Sequence, residues 1–344
     1  MPHLFNPRLI NPPDKDPGLF IPFFFNKRAV IIDLGDINAL FSRDILKLSQ
    51  IFISHTHMDH FTGFDRVLRL ALGRDMSISI FGPKGIIDNV YGKLSGYTWN
   101  LVENYVKSLS IHVHEIQQGE MLSCGFECKT GFKPFGKKIR PIENNIIFND
   151  TGFEVKTAVL DHDIACLGYS LTEHFHVNIR SDALTRLGLK PGPWLYSFKE
   201  AIMAGDDRQM PVSAPVTDGS DEIDRTREFT LGELTDLLTV ITPGEKIAYI
   251  TDASGSRENI DKIIDLVKNA DRLFIEAAFL DKDRQLAKKK CHLTAFQAGM
   301  IAARAKTKRF TLFHFSPRYT GEYGAFYEEA ERAFAEYGGK IAGL

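Results

Sequence analysis

The sequence predicts a mixed α/β (α+β) fold in which helices cover the faces of β-sheets, with one inserted arm. Three observations carry that expectation. Short β-branched and aromatic runs recur along the chain, amphipathic helical patterns fall between the later ones, and one long polar segment breaks the rhythm.

Taken in order, residues 29–33, 50–54, 77–81 and 110–116 read as strands, followed by 155–160 and 168–172, and then by 246–251, 273–276 and 309–315. Within 257–270 the apolar residues Ile260, Ile263, Ile264 and Val267 fall at i, i+3, i+4 and i+7, the spacing of one helical face. Residues 293–305 continue the pattern, and Tyr323, Phe326, Tyr327, Ala330 and Phe334 mark a C-terminal amphipathic helix. Residues 173–244 are instead rich in Pro, Gly, Ser and Asp, with Lys190-Pro-Gly-Pro193 and an acidic run at 218–224. We read them as an arm inserted into a single domain spanning 1–344, with a short helix at 182–187 and a firmer one at 231–240. A basic cluster of Lys133, Lys137, Lys138 and Arg140 reads as a loop among Gly and Pro, and Lys288, Lys289 and Lys290 form a second.

Composition sets broad limits. The 344 residues are 44% hydrophobic and 25% charged, an ordinary balance for a chain that buries a substantial core. Formal net charge is −2, so an anionic partner must be met by a local basic patch and not by the whole molecule. Cys124, Cys128, Cys166 and Cys291 make no disulfide framework or complete zinc module and read as reduced, buried small residues. The apolar stretch 18–25 is short, broken by Pro22 and preceded by Asp14, Lys15 and Asp16, so it is no secretory signal. No run reaches the ~20 apolar residues of a membrane helix. The expectation is a cytoplasmic protein with no membrane partner.

The chemistry concentrates after the strand Ile51-Phe-Ile-Ser54, which runs into His55-Thr-His-Met-Asp-His60. Three imidazoles and a carboxylate within six residues suit zinc and its first-row neighbours. Alternation places His55 and His57 on one side of an extended segment. Asp59 and His60 turn toward a second position as a helix begins near Phe61.

The order H-x-H-x-D-H after a strand resembles the metallo-β-lactamase superfamily, whose fold is a four-layered αβ/βα sandwich. That resemblance implies three further ligands at strand ends: His162 in Val159-Leu-Asp-His162, Asp252 in Tyr249-Ile-Thr-Asp252, and His314 in Thr311-Leu-Phe-His314. It places His55, His57 and His162 on one divalent cation and Asp59, His60 and His314 on another, with Asp252 bridging. Zinc is the expected metal, and manganese or iron(II) would accept the same donors.

Later motifs resemble one branch, the ribonuclease Z family of tRNA 3′-processing endonucleases. Phe274-Ile-Glu-Ala-Ala-Phe279, Cys291-His-Leu-Thr294 and His314-Phe-Ser-Pro-Arg-Tyr319 are similar to its Glu-Ala-(Thr/Ala)-Phe, His-x-Thr and His-Phe-Ser-x-Arg-Tyr segments. His162 with Gly168-Tyr169, the turn Phe81-Gly-Pro-Lys-Gly85 and the Pro-Gly-Pro of the arm resemble further family segments. The resemblance implies that His292 protonates the departing 3′-oxygen or stabilises charge, Glu276 orients its ring, Asp59 holds or deprotonates the attacking water, and Arg318 contacts a phosphate. RNA or another phosphodiester is the implied substrate, and a homodimer the implied assembly. Two alternatives stand beside this: the same fold acting on a lactone, thioester or cyclic nucleotide, and a non-catalytic binding module that kept the fold.

Of the other residues, His112 and His114 share a strand face expected to meet solvent, and His174 and His176 sit at the arm's root. Trp194 and Phe198 in the arm offer either base stacking or an apolar anchor.

Overall fold

A computed structural model describes residues 4–24, 27–216 and 225–338. The acidic run at 218–224 and the last residue of the stretch 18–25 lie outside the described residues. The chain forms two compact units. The larger comprises Phe5–Phe148, Val155–Leu171 and Lys246–Leu344, and the smaller includes Asn149–Glu154 and Thr172–Glu245.

In the larger unit one sheet has eight strands side by side in chain order: Arg8–Leu9, Leu19–Pro22, Ala29–Ile32, Leu48–Phe52, Met76–Pro83, Leu109–Gln117, Glu120–Glu127 and Pro134–Pro141. Its centre is parallel, from Ala29–Ile32 through Leu109–Gln117, and its flanks are antiparallel. The second sheet runs Phe310–Phe313, Arg272–Glu276, Lys246–Ile250, Ala165–Glu173, Phe153–Asp161 and Ile146–Asn149, with the first three parallel. Parallel strands covered on both faces need apolar residues throughout, and Ala29–Ile32 is buried at every position.

The two sheets pack face to face. Phe52 meets Tyr169 with ring centroids 5.4 Å apart, and the Tyr169 hydroxyl donates to the Ile53 carbonyl at 2.6 Å. On the outer face of the first sheet, Phe64–Ala71 and Ile86–Ser95 bury Val67, Leu68, Val90 and Leu94 against Ile51, Ile80 and Ile111. On the second, Arg257–Val267, Ala295–Arg304 and Tyr323–Glu336 bury Ile263, Ile301 and Phe326 with Ile250, Ile275 and Leu312. Helix, sheet, sheet and helix are the four expected layers.

The smaller unit pairs Phe175–Ile179 with Thr239–Pro243 and Pro211–Pro215 with Thr226–Thr230, both antiparallel, and adds the helices Ser181–Leu187, Trp194–Ala204 and Leu231–Leu238. Thr230 and Glu233 form a reciprocal capping box at the last of these. Phe198 is 1% exposed among Leu184, Leu234 and Leu238, so it belongs to this unit's own core and offers no base a stacking face. Trp194 packs against the same core.

Three surface expectations are corrected. The cluster Lys137, Lys138 and Arg140 lies on the strand Pro134–Pro141, not in a loop, because the neighbouring strand Glu120–Glu127 pairs with it at the sheet edge. A register shift accommodates the left-handed Gly136 that made the segment look irregular. His114 is half-buried and not a fully solvent-facing residue: it stacks on Phe81 at 4.5 Å and shares a 2.8 Å hydrogen bond with the Ser123 hydroxyl. All four cysteines are free, but Cys291 is only half-buried. Among the described residues no helix is long and apolar enough to cross a membrane.

Candidate metal centre and active site

The parallel strands of both sheets end at one edge, where α/β sheets carry their ligands. Three strands release a site residue through the same backbone device. Asp33 follows Ala29–Ile32 at φ 60°, Asp252 follows Lys246–Ile250 at φ 48°, and His314 follows Phe310–Phe313 at φ 62°. Left-handed backbone is uncommon for residues other than glycine, and Asp and His accept it more readily than branched side chains. The strand Leu48–Phe52 delivers His55, and an extended His57 caps the helix Met58–Phe61. That helix starts three residues earlier than expected, so Asp59 and His60 lie in it.

These residues converge on the Asp252 carboxylate. His55 Nε2 and His60 Nε2 each lie 3.3 Å from Asp252 Oδ2, His162 Nε2 lies at 3.4 Å, and His314 Nδ1 lies 2.9 Å from Oδ1. Asp59 Oδ2 stands 3.5 Å from His60 Nε2 and 3.6 Å from His314 Nε2. Donor atoms of His55, His57, His162 and Asp252 form one group that could hold an ion, and those of Asp59, His60 and His314 form another.

The far side of several rings is fixed by a hydrogen bond. His60 Nδ1 donates to Asp33 Oδ2 at 2.9 Å, His162 Nδ1 donates to the Cys291 carbonyl at 2.8 Å, and His55 Nδ1 lies 3.1 Å from the Ser54 hydroxyl. Holding Nδ1 this way leaves the Nε2 lone pair toward Asp252. Yet His55 Nε2 and His60 Nε2 are buried without a hydrogen-bond partner. Buried polar atoms are rarely left so, and imidazole lone pairs around a carboxylate suit a divalent cation. The residues fit the metal that the motif implied.

The electrostatics follow from burial and crowding. Burial drives His55 down to about 2, and the neighbouring His60 adds to the effect. For His60 burial also opposes protonation, but Asp252 and Asp33 outweigh it and raise the metal-free ring well above the usual imidazole value, so a cation taking the Nε2 lone pair would displace a proton. Burial would raise Asp252, but the His314 and His60 rings overcome it and hold the carboxylate far below its usual range.

Beside this cluster, Glu276 is completely buried and accepts from His292 Nδ1 at 2.8 Å. Its other oxygen accepts from the Ala253 and Leu293 amides at 2.8 and 3.3 Å. Against the cost of burial, Glu276 raises the pKa of His292, and His292 in turn lowers that of Glu276. Arg318 stands apart from these groups: it is half exposed and lies 3.6 Å from Asp283.

Sequence reasoning did not single out Asp33. It is fully buried, and besides His60 it accepts from the Ser54 amide at 2.7 Å, the Ser54 hydroxyl at 2.9 Å and the Tyr249 hydroxyl at 3.0 Å. The available signal was a lone acid ending the apolar run 29–33.

No family model matches the chain. It is 27% identical over 320 residues to the ribonuclease Z of Deinococcus radiodurans, covering 90% of each chain. With the ribonuclease Z of Bacillus mycoides it shares 28% identity over 293 residues, 84% of this chain and 78% of that one. The metallo-β-lactamase fold protein YhfI from Bacillus subtilis superposes with a TM-score of 0.55 at 14% identity, over 98% of this chain and 95% of that one. The chain is a metallo-β-lactamase-fold protein, similar in sequence to ribonuclease Z.

Proposed function

We propose that this protein is a metal-dependent phosphodiesterase acting on RNA, a ribonuclease Z-like endonuclease that trims tRNA 3′ ends. The observation that carries the reading is the gathering of His55, His60, His162 and His314 around Asp252, with the His292–Glu276 pair beside them. In this reading His55, His57 and His162 would hold one zinc ion and Asp59, His60 and His314 another, with Asp252 within reach of both groups. Two such cations lower the pKa of water and neutralise charge on a phosphoryl group.

The chain's own groups complete the reaction. The Asp59 side chain, 45% exposed, orients the attacking water and takes up its proton. Glu276 fixes the His292 proton on Nδ1 and favours the imidazolium, so Nε2–H is available to protonate the departing 3′-oxygen. Arg318, set apart from the cluster and beside Asp283, would reach only a phosphate flanking the scissile one.

Incubating the zinc-loaded protein with a tRNA precursor and, in parallel, bis-p-nitrophenyl phosphate tests the proposal. Both substrates are expected to be cleaved. Hydrolysis of the small ester with an intact precursor removes the endonuclease reading.

A further inference from the structure

His292 also lines a cleft of about 550 Å³, within the range of small-molecule sites. Its wall is preformed. The buried Asn259 side chain accepts from the Asp161 amide at 3.0 Å, and its amide nitrogen donates to the Asp161 and Ser254 carbonyls at 2.8 and 3.0 Å. Gly255 presses against Gln297 so closely that a Cβ there would come 2.3 Å from the Gln297 amide nitrogen. Such a loop loses little freedom when a ligand arrives.

The lining has two chemical characters. Arg284 and Lys288 supply positive charge, and the helix Arg257–Val267 begins at the lining residue Ser256. Asp161 and Ser254 supply hydrogen-bond acceptors and a hydroxyl. A purely anionic ligand would be repelled by Asp161, and a neutral one would leave Lys288 unanswered, Arg284 already sharing its charge with Asp281 at 2.8 Å. A nucleotide, with one phosphate and a sugar rich in hydroxyls, matches both.

We infer that this cleft receives the ribonucleotide whose 3′-oxygen departs. Lys288 and Arg284 meet its 5′-phosphate, and Asp161 and Ser254 meet its hydroxyls. The inference rests on the phosphodiesterase reading: if His292 protonates the leaving oxygen, the nucleoside bearing that oxygen lies on His292's side of the metal centre.

Calorimetric titration of the zinc-loaded full chain with adenosine 5′-monophosphate and with adenosine tests it. The monophosphate is expected to bind at least tenfold more tightly than adenosine. Lys288→Glu should weaken the monophosphate about tenfold and leave adenosine unmoved. Lys107→Glu makes the same charge change just before the strand Leu109–Gln117, at the opposite sheet edge, and should have no effect. No binding of the monophosphate, or binding that Lys288→Glu leaves intact and zinc removal abolishes, overturns the cleft in favour of phosphate on the metals. Ester hydrolysis on the same preparations separates the two claims. Lys288-sensitive binding without hydrolysis sinks the phosphodiesterase reading and leaves a nucleotide cleft, whereas hydrolysis with Lys288-insensitive binding sinks the cleft alone.

Discussion

Replacing Asp33 should damage metal binding and stability together, because one buried carboxylate serves four donors. Its Oδ2 takes His60 Nδ1, the Tyr249 hydroxyl and the Ser54 hydroxyl, and its Oδ1 takes the Ser54 amide. Asp33→Ala deprives all four at a position with no exposure. A buried donor left unsatisfied costs about 1–3 kcal/mol, so even with some donors finding water the loss should be on the order of 4 kcal/mol. His60, no longer anchored at Nδ1, should lose zinc affinity by about 10–100-fold, the usual effect of removing a partner behind a metal-bound imidazole. Asp33→Asn is the gentler test. Its carbonyl can replace Oδ2 and keep three donors, but its NH2 then opposes the Ser54 amide, donor against donor.

The assay is a chelator competition for zinc alongside urea unfolding of the metal-free protein, where stability is read without bound ions. The expected order is wild type, then Asn, then Ala in both measurements. If Asp33→Ala binds zinc within threefold of wild type while losing stability, the carboxylate is a core acceptor only, and the claim that it aims His60 fails.

Three further expectations follow from the same geometry. His162→Ala should lower zinc content, whereas His292→Ala should keep zinc and slow phosphodiester hydrolysis by about 10²–10⁴-fold; equal zinc loss in both, by metal analysis, would overturn the division between ligand and proton donor. Burial, with the His112 and Arg140 charges, lowers His114 to about 4 from 6.5. The unfolded chain therefore binds a proton first as pH falls, and His114 should cost up to about 3 kcal/mol between pH 6.5 and 4, present above that window and lost through it. Urea titrations of His114→Phe should lack this part of the acid sensitivity, and an unchanged pH profile would refute it. In the helix Ala295–Arg304 a Cβ on Gly299 would come within 2.0 Å of the Ala330 carbonyl oxygen. Gly299→Ala should lower stability by about 1–3 kcal/mol in urea, with zinc content preserved.

The sequence exposed the parts of this fold that have a local cause. Ala29–Ile32, Arg272–Glu276 and Phe310–Phe313 are apolar runs with turn-like ends, and Arg257–Val267 carries a one-sided apolar stripe, so each could be read without its partners. Pro134–Pro141 could not: every residue on it is exposed, and only pairing with Glu120–Glu127 makes it a strand. The site divides in the same way. His55, His57, Asp59 and His60 share six residues and announce themselves, whereas His162, Asp252 and His314 came only with a family pattern, since nothing local distinguishes them from other acids and imidazoles at strand ends. Asp33 was invisible for a further reason. Its worth lies in what it accepts from Ser54, His60 and Tyr249, residues 21, 27 and 216 positions away, and a hydrogen-bond acceptor for distant donors leaves no periodicity to read. The candidate ligands are thus more legible than the residue that orients one of them, and the Asp33 variants test the less legible half.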